Sequence, residues 1–273
     1  MKTDSNSAPS QAAFLVIGDE ILSGRTVEAN IALLARKLDA HGIPLRECRI
    51  VPDQQDAIIT ALNELRSSHA IVFTSGGIGP THDDITAASV AKAFSVQLIR
   101  SQETERALRA TSKASSEQAL EARLRMADVP DGSSLIKCSA TAAPGFQIEN
   151  VFVLAGVPFI FAAMLEVVLA GLPAATAIAS CSLRVAVGES EIANLLAKVQ
   201  QQFPDVQMGS YPKFIAGKYR SDLVARAANH KAAEAAMAEL ARKLEQAGIN
   251  WESGKPADPA AAAESETQKK ESR

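Results

Sequence analysis

The sequence predicts an α/β fold: a mostly parallel sheet in three layers, followed by a smaller α+β module. Three observations predict it. Short apolar runs rich in β-branched residues alternate with helical patterns from Ala13 onward, in the order strand, helix, strand, helix, strand, helix. Acidic or glycine-rich turns follow the first and third of these runs. Those turns lie at the carboxyl ends of strands, the edge where open α/β sheets bind ligands. Past a linker at 171–180 the pattern changes to βαββα.

Ala13–Ile17 is the first expected strand. A helix near Glu28–Ala40 follows, with Ile31, Leu34, Ala35 and Leu38 on one face and Gly42 as its stop. Leu45–Val51 is a strand, Gln54–Arg66 a helix, Ala70–Thr74 a strand and Ile85–Phe94 a helix. Val96–Ile99 is a short strand. Gln102–Met126 is charged and sparsely apolar, an excursion from the core that covers the site or makes a subunit contact. Strands follow at Leu135–Lys137, Phe146–Ile148 and Val151–Leu154, the last two joined by a hairpin turn at Glu149-Asn150. A helix from Pro158 to Ala170 closes the first domain, residues 12–175.

The second domain, 181–251, takes strands at Leu183–Val187, Val206–Tyr211 and Ser221–Ala227. Its helices are at Glu191–Gln202 and Lys231–Gln246, with a short last strand at Ile249–Trp251. This is a ferredoxin-like order. From Glu252 to Arg273 there is no large apolar residue, so disorder is expected across 252–273.

Bulk properties exclude several classes. The 273 residues carry a net charge of −3, and Lys and Arg form no basic stripe, so a nucleic-acid partner is not expected. No apolar run reaches the length of a membrane span, and the first ten residues lack a signal peptide's apolar centre. Cys48, Cys138 and Cys181 are too widely spaced for a disulfide framework or zinc site, which fits a reducing cytoplasm.

The segment Thr74-Ser-Gly-Gly-Ile-Gly-Pro-Thr-His-Asp-Asp-Ile-Thr86 carries the strongest chemical signal. Gly76, Gly77 and Gly79 let a ligand approach the backbone, whose N–H groups suit a phosphate. Ser75, Thr81 and Thr86 add hydroxyls. Asp83 and Asp84, next to an anion site, suggest a bridging divalent cation, with Mg²⁺ expected. Asp19 and Glu20 follow the first strand and join Asp84 as candidate metal ligands. Gly24 lies beyond them, and Asn30 is placed to fix the Gly18–Gly24 loop or a ligand. The loop is neither a Walker A sequence nor G-x-G-x-x-G. His82 reads as an exposed loop residue, and no Ser/His/Asp hydrolase is indicated.

These residues carry a resemblance. Ile17-Gly-Asp-Glu-Ile-Leu-Ser-Gly-Arg-Thr-Val-Glu-Ala-Asn30, together with the glycine segment, resembles the MoaB/Mog molybdopterin-binding domain, and within it the CinA type. Ala143-Pro-Gly-Phe146 is similar to that type's Ala-Pro-Gly-Phe turn, and Leu154-Ala-Gly-Val-Pro158 to its Leu-Pro-Gly-x-Pro loop. Val187-Gly-Glu-Ser190 and Gly209-Ser-Tyr-Pro212 resemble its second small domain. The likeness spans about Ala12 to Ile249. It implies a three-layer MoaB/Mog-like fold, a pterin or nucleotide ligand, molybdopterin as a candidate ligand, and a homo-oligomer. Two activities are implied: molybdopterin handling in molybdenum cofactor biosynthesis, or metal-dependent pyrophosphate hydrolysis of an ADP-ribose- or FAD-like dinucleotide. Asp83 and Asp84 are the catalytic candidates, and a non-catalytic ligand sensor is the third alternative.

The chain departs from the type at Ser75 for Thr, Ala155 for Pro, Ile160-Phe161 for a polar-Met pair, and Cys138 and Thr141 for Asn and Gly. These changes predict a more apolar wall beside the loop. The chain stops where longer CinA-type proteins carry a nicotinamide-nucleotide deamidase domain, so that activity is expected to be absent.

Overall fold

The computed structural model describes residues 11–173, 179–215 and 217–254. The chain divides into two compact units, with the boundary between residues 175 and 176. The first unit begins with β1 (Ala12–Ile17), α1 (Asp19–Leu22), α2 (Asn30–Ala40), β2 (Leu45–Val51), α3 (Gln55–Ser68), β3 (Ile71–Ser75) and α4 (Thr86–Ala93). It continues with β4 (Leu98–Arg100), α5 (Gln102–Ala110), α6 (Glu117–Leu124), β5 (Asp128–Pro130), β6 (Ser134–Cys138), β7 (Thr141–Ile148), β8 (Val151–Leu154) and α7 (Pro158–Gly171).

The main sheet has the order β2-β1-β3-β8-β7-β6. The first four strands are mutually parallel, and β7 and β6 run antiparallel to their neighbours. Strand β1 is interior, between β2 and β3, and wholly buried, and its alternation feeds both faces. Ala12, Phe14 and Val16 join a core with Leu34 and Leu38 of α2 and Phe161, Leu165 and Val168 of α7. Ala13, Leu15 and Ile17 join the other core, with Ile58, Leu62 and Leu65 of α3 and Val90 of α4. Each of the Val, Leu, Ile and Phe side chains among these contributes about 1.5–3 kcal/mol on burial. The result is the expected three-layer, mostly parallel α/β fold.

The excursion after α4 is less continuous than its charge pattern suggested. Residues 111–116 break it into α5 and α6, and Ser101 and Ser116 cap the two helices by accepting from the Thr104 and Ala119 N–H groups. Leu108, Leu124 and Ala127 are fully buried in a small cluster of their own. Strand β4 starts two residues later than expected and pairs with β5, which the sequence pattern did not suggest, in a separate two-stranded sheet. Ala143–Phe146 is not a turn. It lies within β7, where Pro144 sits beside a register shift in the β6 pairing, a place that tolerates a missing N–H.

The second unit comprises β9 (Ala179–Val185), α8 (Glu189–Gln202), β10 (Gln207–Ile215), β11 (Lys218–Ala227), α9 (His230–Gln246) and β12 (Trp251–Gly254). Its four-stranded sheet is antiparallel, in the order β10-β11-β9-β12. With the βαββαβ chain order this is the expected ferredoxin-like arrangement. Leu183, Val185, Leu223 and Ala225 bury one sheet face against Ile192, Val199, Met237 and Leu240.

One expectation is corrected here. The chain was expected to lose order at Glu252, but Glu252, Ser253 and Gly254 pair with Arg184, Leu183 and Ser182, and the Ser182 hydroxyl donates to the Gly254 carbonyl at 2.7 Å. Strand pairing here is a backbone property, so side-chain composition did not reveal it. The expectation for 255–273, and residues 174–178 of the 171–180 linker, lie outside the described residues, while Gly171 ends α7 and Ala179 and Ser180, expected in the linker, begin β9. A chain ending at Trp251 should therefore be less stable than one ending at Gly254, by of order 1–2 kcal/mol for the lost ladder bonds. Denaturant midpoints of the two truncations check this, and equal midpoints would show that β12 contributes nothing beyond Trp251.

Candidate functional site

Strands β1, β3 and β8 end side by side, and the loops that leave them meet. Gly76 lies so near the end of β1 that a Cβ there would approach the Ile17 carbonyl oxygen to well under 3.0 Å. Its φ is +103°, and that of Gly77 is +67°. Both angles favour glycine. A Cβ on Gly77 would collide with the Thr86 hydroxyl. That hydroxyl donates to the Gly76 carbonyl at 3.0 Å, and the Thr86 N–H donates to the Gly77 carbonyl at 3.0 Å. The start of α4 thus holds the loop's carbonyls away from the ligand side.

Asp84 holds the far end of the loop. Its Oδ1 accepts from the Gly79 N–H at 2.7 Å; Oδ2 accepts from the Thr81 N–H at 2.8 Å and from the Thr81 hydroxyl at 2.5 Å. The Gly76 N–H is also used, donating to the Leu154 carbonyl at 3.3 Å. The N–H groups of Gly77 and Ile78 have no hydrogen-bond partner among the described residues. They are the loop's available donors. Of the three glycines expected to donate to an anion, only Gly77 is free to do so.

Asn30 is buried at the head of α2 and sits below this loop. Glu28 caps the helix by accepting from the Asn30 and Ile31 N–H groups, both at 2.8 Å. The Asn30 amide donates to the Ser75 hydroxyl at 2.9 Å and to the Gly156 carbonyl at 2.8 Å. It therefore ties β3 to the β8 loop and does not reach back to the Gly18–Gly24 loop as expected. The Ser75 hydroxyl is spent in the same network, donating to the Ala155 carbonyl at 3.4 Å. Asn30→Ala should cost about 1–3 kcal/mol, because it orphans buried polar groups. Asn30→Asp should cost at least as much, since it replaces the donor with a buried charge. Thermal unfolding of both variants tests this, and unchanged melting would remove Asn30 from the scaffold.

These loops wall a cavity of about 510 Å³. Of the residues expected at the site, Glu20, Gly76, Gly77, Gly79 and Asp84 line it. Ser75, Thr86 and Asn30 lie behind the wall, buried. Asp19, Gly24, Thr81 and Asp83 do not line it. Thr26, Met126 and Thr141 do, and no spacing rule had pointed to Thr26 or Met126. The apolar wall is formed by Ala155, Val157, Ile160 and Met164. Phe161, expected on that wall, turns into the core against Phe14, with ring centroids 5.7 Å apart, and Cys138 packs against the same core. Helix α7 starts at the cavity with Pro158 in its first turn, so its N-terminal dipole adds positive potential there.

The acidic residues do not converge as expected. Among the described residues, no three His, Cys, Asp or Glu side chains gather into a metal-binding group. Asp84 is occupied by the loop. The Asp19 N–H donates to Asp53 Oδ2 at 2.8 Å, which brings in an acid the sequence reading had not singled out. Burial pushes the Asp53 carboxyl up from its ordinary value, and the nearby charges of Glu20, Asp19 and Asp83 push the same way against the Asp19 N–H. His82 is exposed, 3.9 Å from Asp83.

Comparison with known proteins agrees with this architecture. Residues 13–175 match the family described as a probable molybdopterin binding domain, and residues 177–253 match the FAD synthase middle domain. A protein of Archaeoglobus fulgidus is 34% identical over 197 residues, 72% of this chain and 83% of its own length. A CinA-like protein of Kosmotoga olearia is 28% identical across 86% of this chain, which spans 59% of that relative. The crystal structure of CinA from Thermoplasma acidophilum, a protein of unknown function, superposes with a TM-score of 0.53 at 31% identity, over 59% of this chain and 96% of that one. With its glycine loop and its second unit in place, the chain belongs to the molybdopterin-binding (MoaB/Mog) domain family, as a CinA-type member.

Proposed function

We propose that the first unit binds a phosphate-bearing pterin, molybdopterin or its adenylylated form, in the cavity at the ends of β1, β3 and β8. The observation that carries this reading is the pair of unpartnered N–H groups on Gly77 and Ile78. They stand on the wall of a cavity of about 510 Å³, within a domain whose family is described as molybdopterin-binding. The phosphate would accept from these N–H groups and face the N-terminus of α7. The apolar wall of Val157, Ile160 and Met164 would receive the flat ring.

A second reading, a pyrophosphohydrolase of ADP-ribose- or FAD-like dinucleotides, is favoured by the match of the second unit to the FAD synthase middle domain. Both readings would use a divalent cation, Mg²⁺ being expected. The carboxylates do not form a closed cage, but Mg²⁺ keeps several waters and takes ligand phosphates, so a partial donor set fits it. Glu20 on the cavity wall, with Asp19 and Asp53 beside it, would hold the cation through water. It would neutralise charge on the phosphate. Asp84 fits the role of loop clamp better than that of metal ligand or catalyst, and exposed Asp83 offers no position on the cavity. A homo-oligomer belongs to the same proposal. Among the described residues no helix is long and apolar enough to cross a membrane.

Calorimetric titration with molybdopterin, ADP-ribose and FAD, with and without Mg²⁺, tests the proposal, together with assay of AMP release. Saturable binding of molybdopterin without turnover supports the first reading. AMP release from ADP-ribose or FAD that requires Mg²⁺ supports the second. Absence of binding by all three compounds refutes both.

A further inference from the structure

The cavity has an electrostatic imbalance. Glu20 and Asp84 line it, and among the described residues on its wall there is no Lys, Arg or His. A phosphate placed there would meet carboxylate charge, and backbone N–H groups carry only partial compensation. Counter-charge has to come from a bound cation or from a side chain just beyond the wall.

We propose that Arg125 supplies it, as a specificity-determining residue that pairs with the ligand's phosphate or diphosphate group. The proposal rests on the reading that the cavity binds a phosphate-bearing ligand. The guanidinium Nη2 of Arg125 donates to the Pro80 carbonyl at 2.8 Å, and Pro80 is on the cavity wall. Arg125 also lines a small cavity that shares Gly77, Ile78, Gly79, Asp84 and Met126 of the glycine-loop region with the main one. This arginine thus borders the same loop that walls the proposed phosphate site.

The backbone under Arg125 is firmly held. Its neighbour Leu124 and the nearby Ala127 are fully buried, and the strand pairing of β5 with β4 begins at Asp128. The side chain is exposed and underused. A guanidinium has five N–H donors, and the bond to Pro80 is its single hydrogen bond among the described residues. The two carboxylates nearest along the same small cavity are already engaged: Asp128 with Arg100, at 2.8 and 3.2 Å, and Asp84 with Gly79 and Thr81. Arg125 is therefore a fixed, unpaired, fork-shaped cation at the edge of an anion site. That geometry matches phosphate oxygens in pairs. The bond to Pro80 also sets the guanidinium against the loop before ligand arrives, which limits the ordering cost of binding.

The test uses the full chain, with inorganic pyrophosphate and ADP-ribose as probes, titrated calorimetrically in EDTA and again in Mg²⁺, the variants being compared in whichever condition the wild type binds. Arg125→Gln keeps an N–H donor for Pro80 but loses the charge; Arg125→Lys keeps the charge but loses the fork. Arg25, exposed in the segment between α1 and α2, is the control cation. Arg125→Gln should bind both probes about tenfold more weakly, as expected for one lost charge-assisted contact. Its affinity should also depend less on salt than that of the wild type. Arg125→Lys should fall between them, and Arg25→Gln should match the wild type. If the wild type binds and Arg125→Gln binds equally well, or Arg25→Gln carries the loss instead, the assignment of Arg125 is overturned while the proposed function stands. If the wild type binds neither probe nor molybdopterin, with or without Mg²⁺, the proposed function falls and the assignment with it.

Discussion

Gly76→Ala is expected to destabilise the first unit severely and to abolish ligand binding. Two costs combine. The φ of +103° lies outside the range that an L side chain adopts without strain, worth about 1–3 kcal/mol. The new methyl group would also press on the Ile17 carbonyl oxygen, which belongs to a wholly buried interior strand and has little room to retreat. Overpacking of that kind typically adds about 1–3 kcal/mol more. Gly24→Ala is the matched comparison. Gly24 also has positive φ, at +70°, but a Cβ there would meet nothing within 4 Å. It should cost only the left-handed backbone penalty, roughly 1–2 kcal/mol. Chemical denaturation of both variants measures the difference. Equal losses would mean that β1 and the glycine loop are not held as close as the structure shows.

That comparison also shows how far the sequence was legible. The elements of the first unit follow from apolar periodicity, which is local, and β1, α2, β2, α3, β3 and α4 fall within two residues of their expected bounds, whereas the four-residue α1 was read as part of a loop. The glycine loop was legible because glycine announces special backbone geometry. What each glycine is for was not. Gly76 answers to a strand end 59 positions away in sequence, and Gly77 to a threonine hydroxyl on the following helix. Asn30 is similar: its polarity at a helix start flagged it, but its partners, Ser75 and Gly156, come together only through the order β1-β3-β8. Arg125 and Asp53 gave no signal, because one arginine in a charged stretch and one aspartate after a proline look like ordinary surface. Strand β12, expected to end at Trp251, runs three residues further to Gly254 because its strength lies in backbone pairing with β9.

Asp84→Ala should reduce ligand affinity at least about tenfold whether or not Mg²⁺ is present, since losing two or more backbone contacts to a charged group exceeds that threshold. The sequence pointed to Asp84 as a metal ligand, and that role makes a different prediction: only the Mg²⁺-dependent part of binding would disappear. The geometry favours the clamp. Both carboxylate oxygens accept from the loop, one from the Gly79 N–H and the other from the Thr81 N–H and hydroxyl. Gly79, moreover, has room for no Cβ beside them. Without these bonds the segment from Ile78 to Thr81 is freed, and the Ile78 N–H no longer points where Gly77 holds its own. Stability should change less than binding, because Thr81 is exposed and water can replace the carboxylate there. Asp84→Asn divides the effect further. Its carbonyl oxygen can keep one set of contacts, but its amide turns a donor toward an N–H group, so it should recover part of the affinity at best. Titrations of pyrophosphate and ADP-ribose in EDTA and in Mg²⁺ separate the two roles. Normal affinity in EDTA with a loss confined to Mg²⁺ would return Asp84 to the metal site.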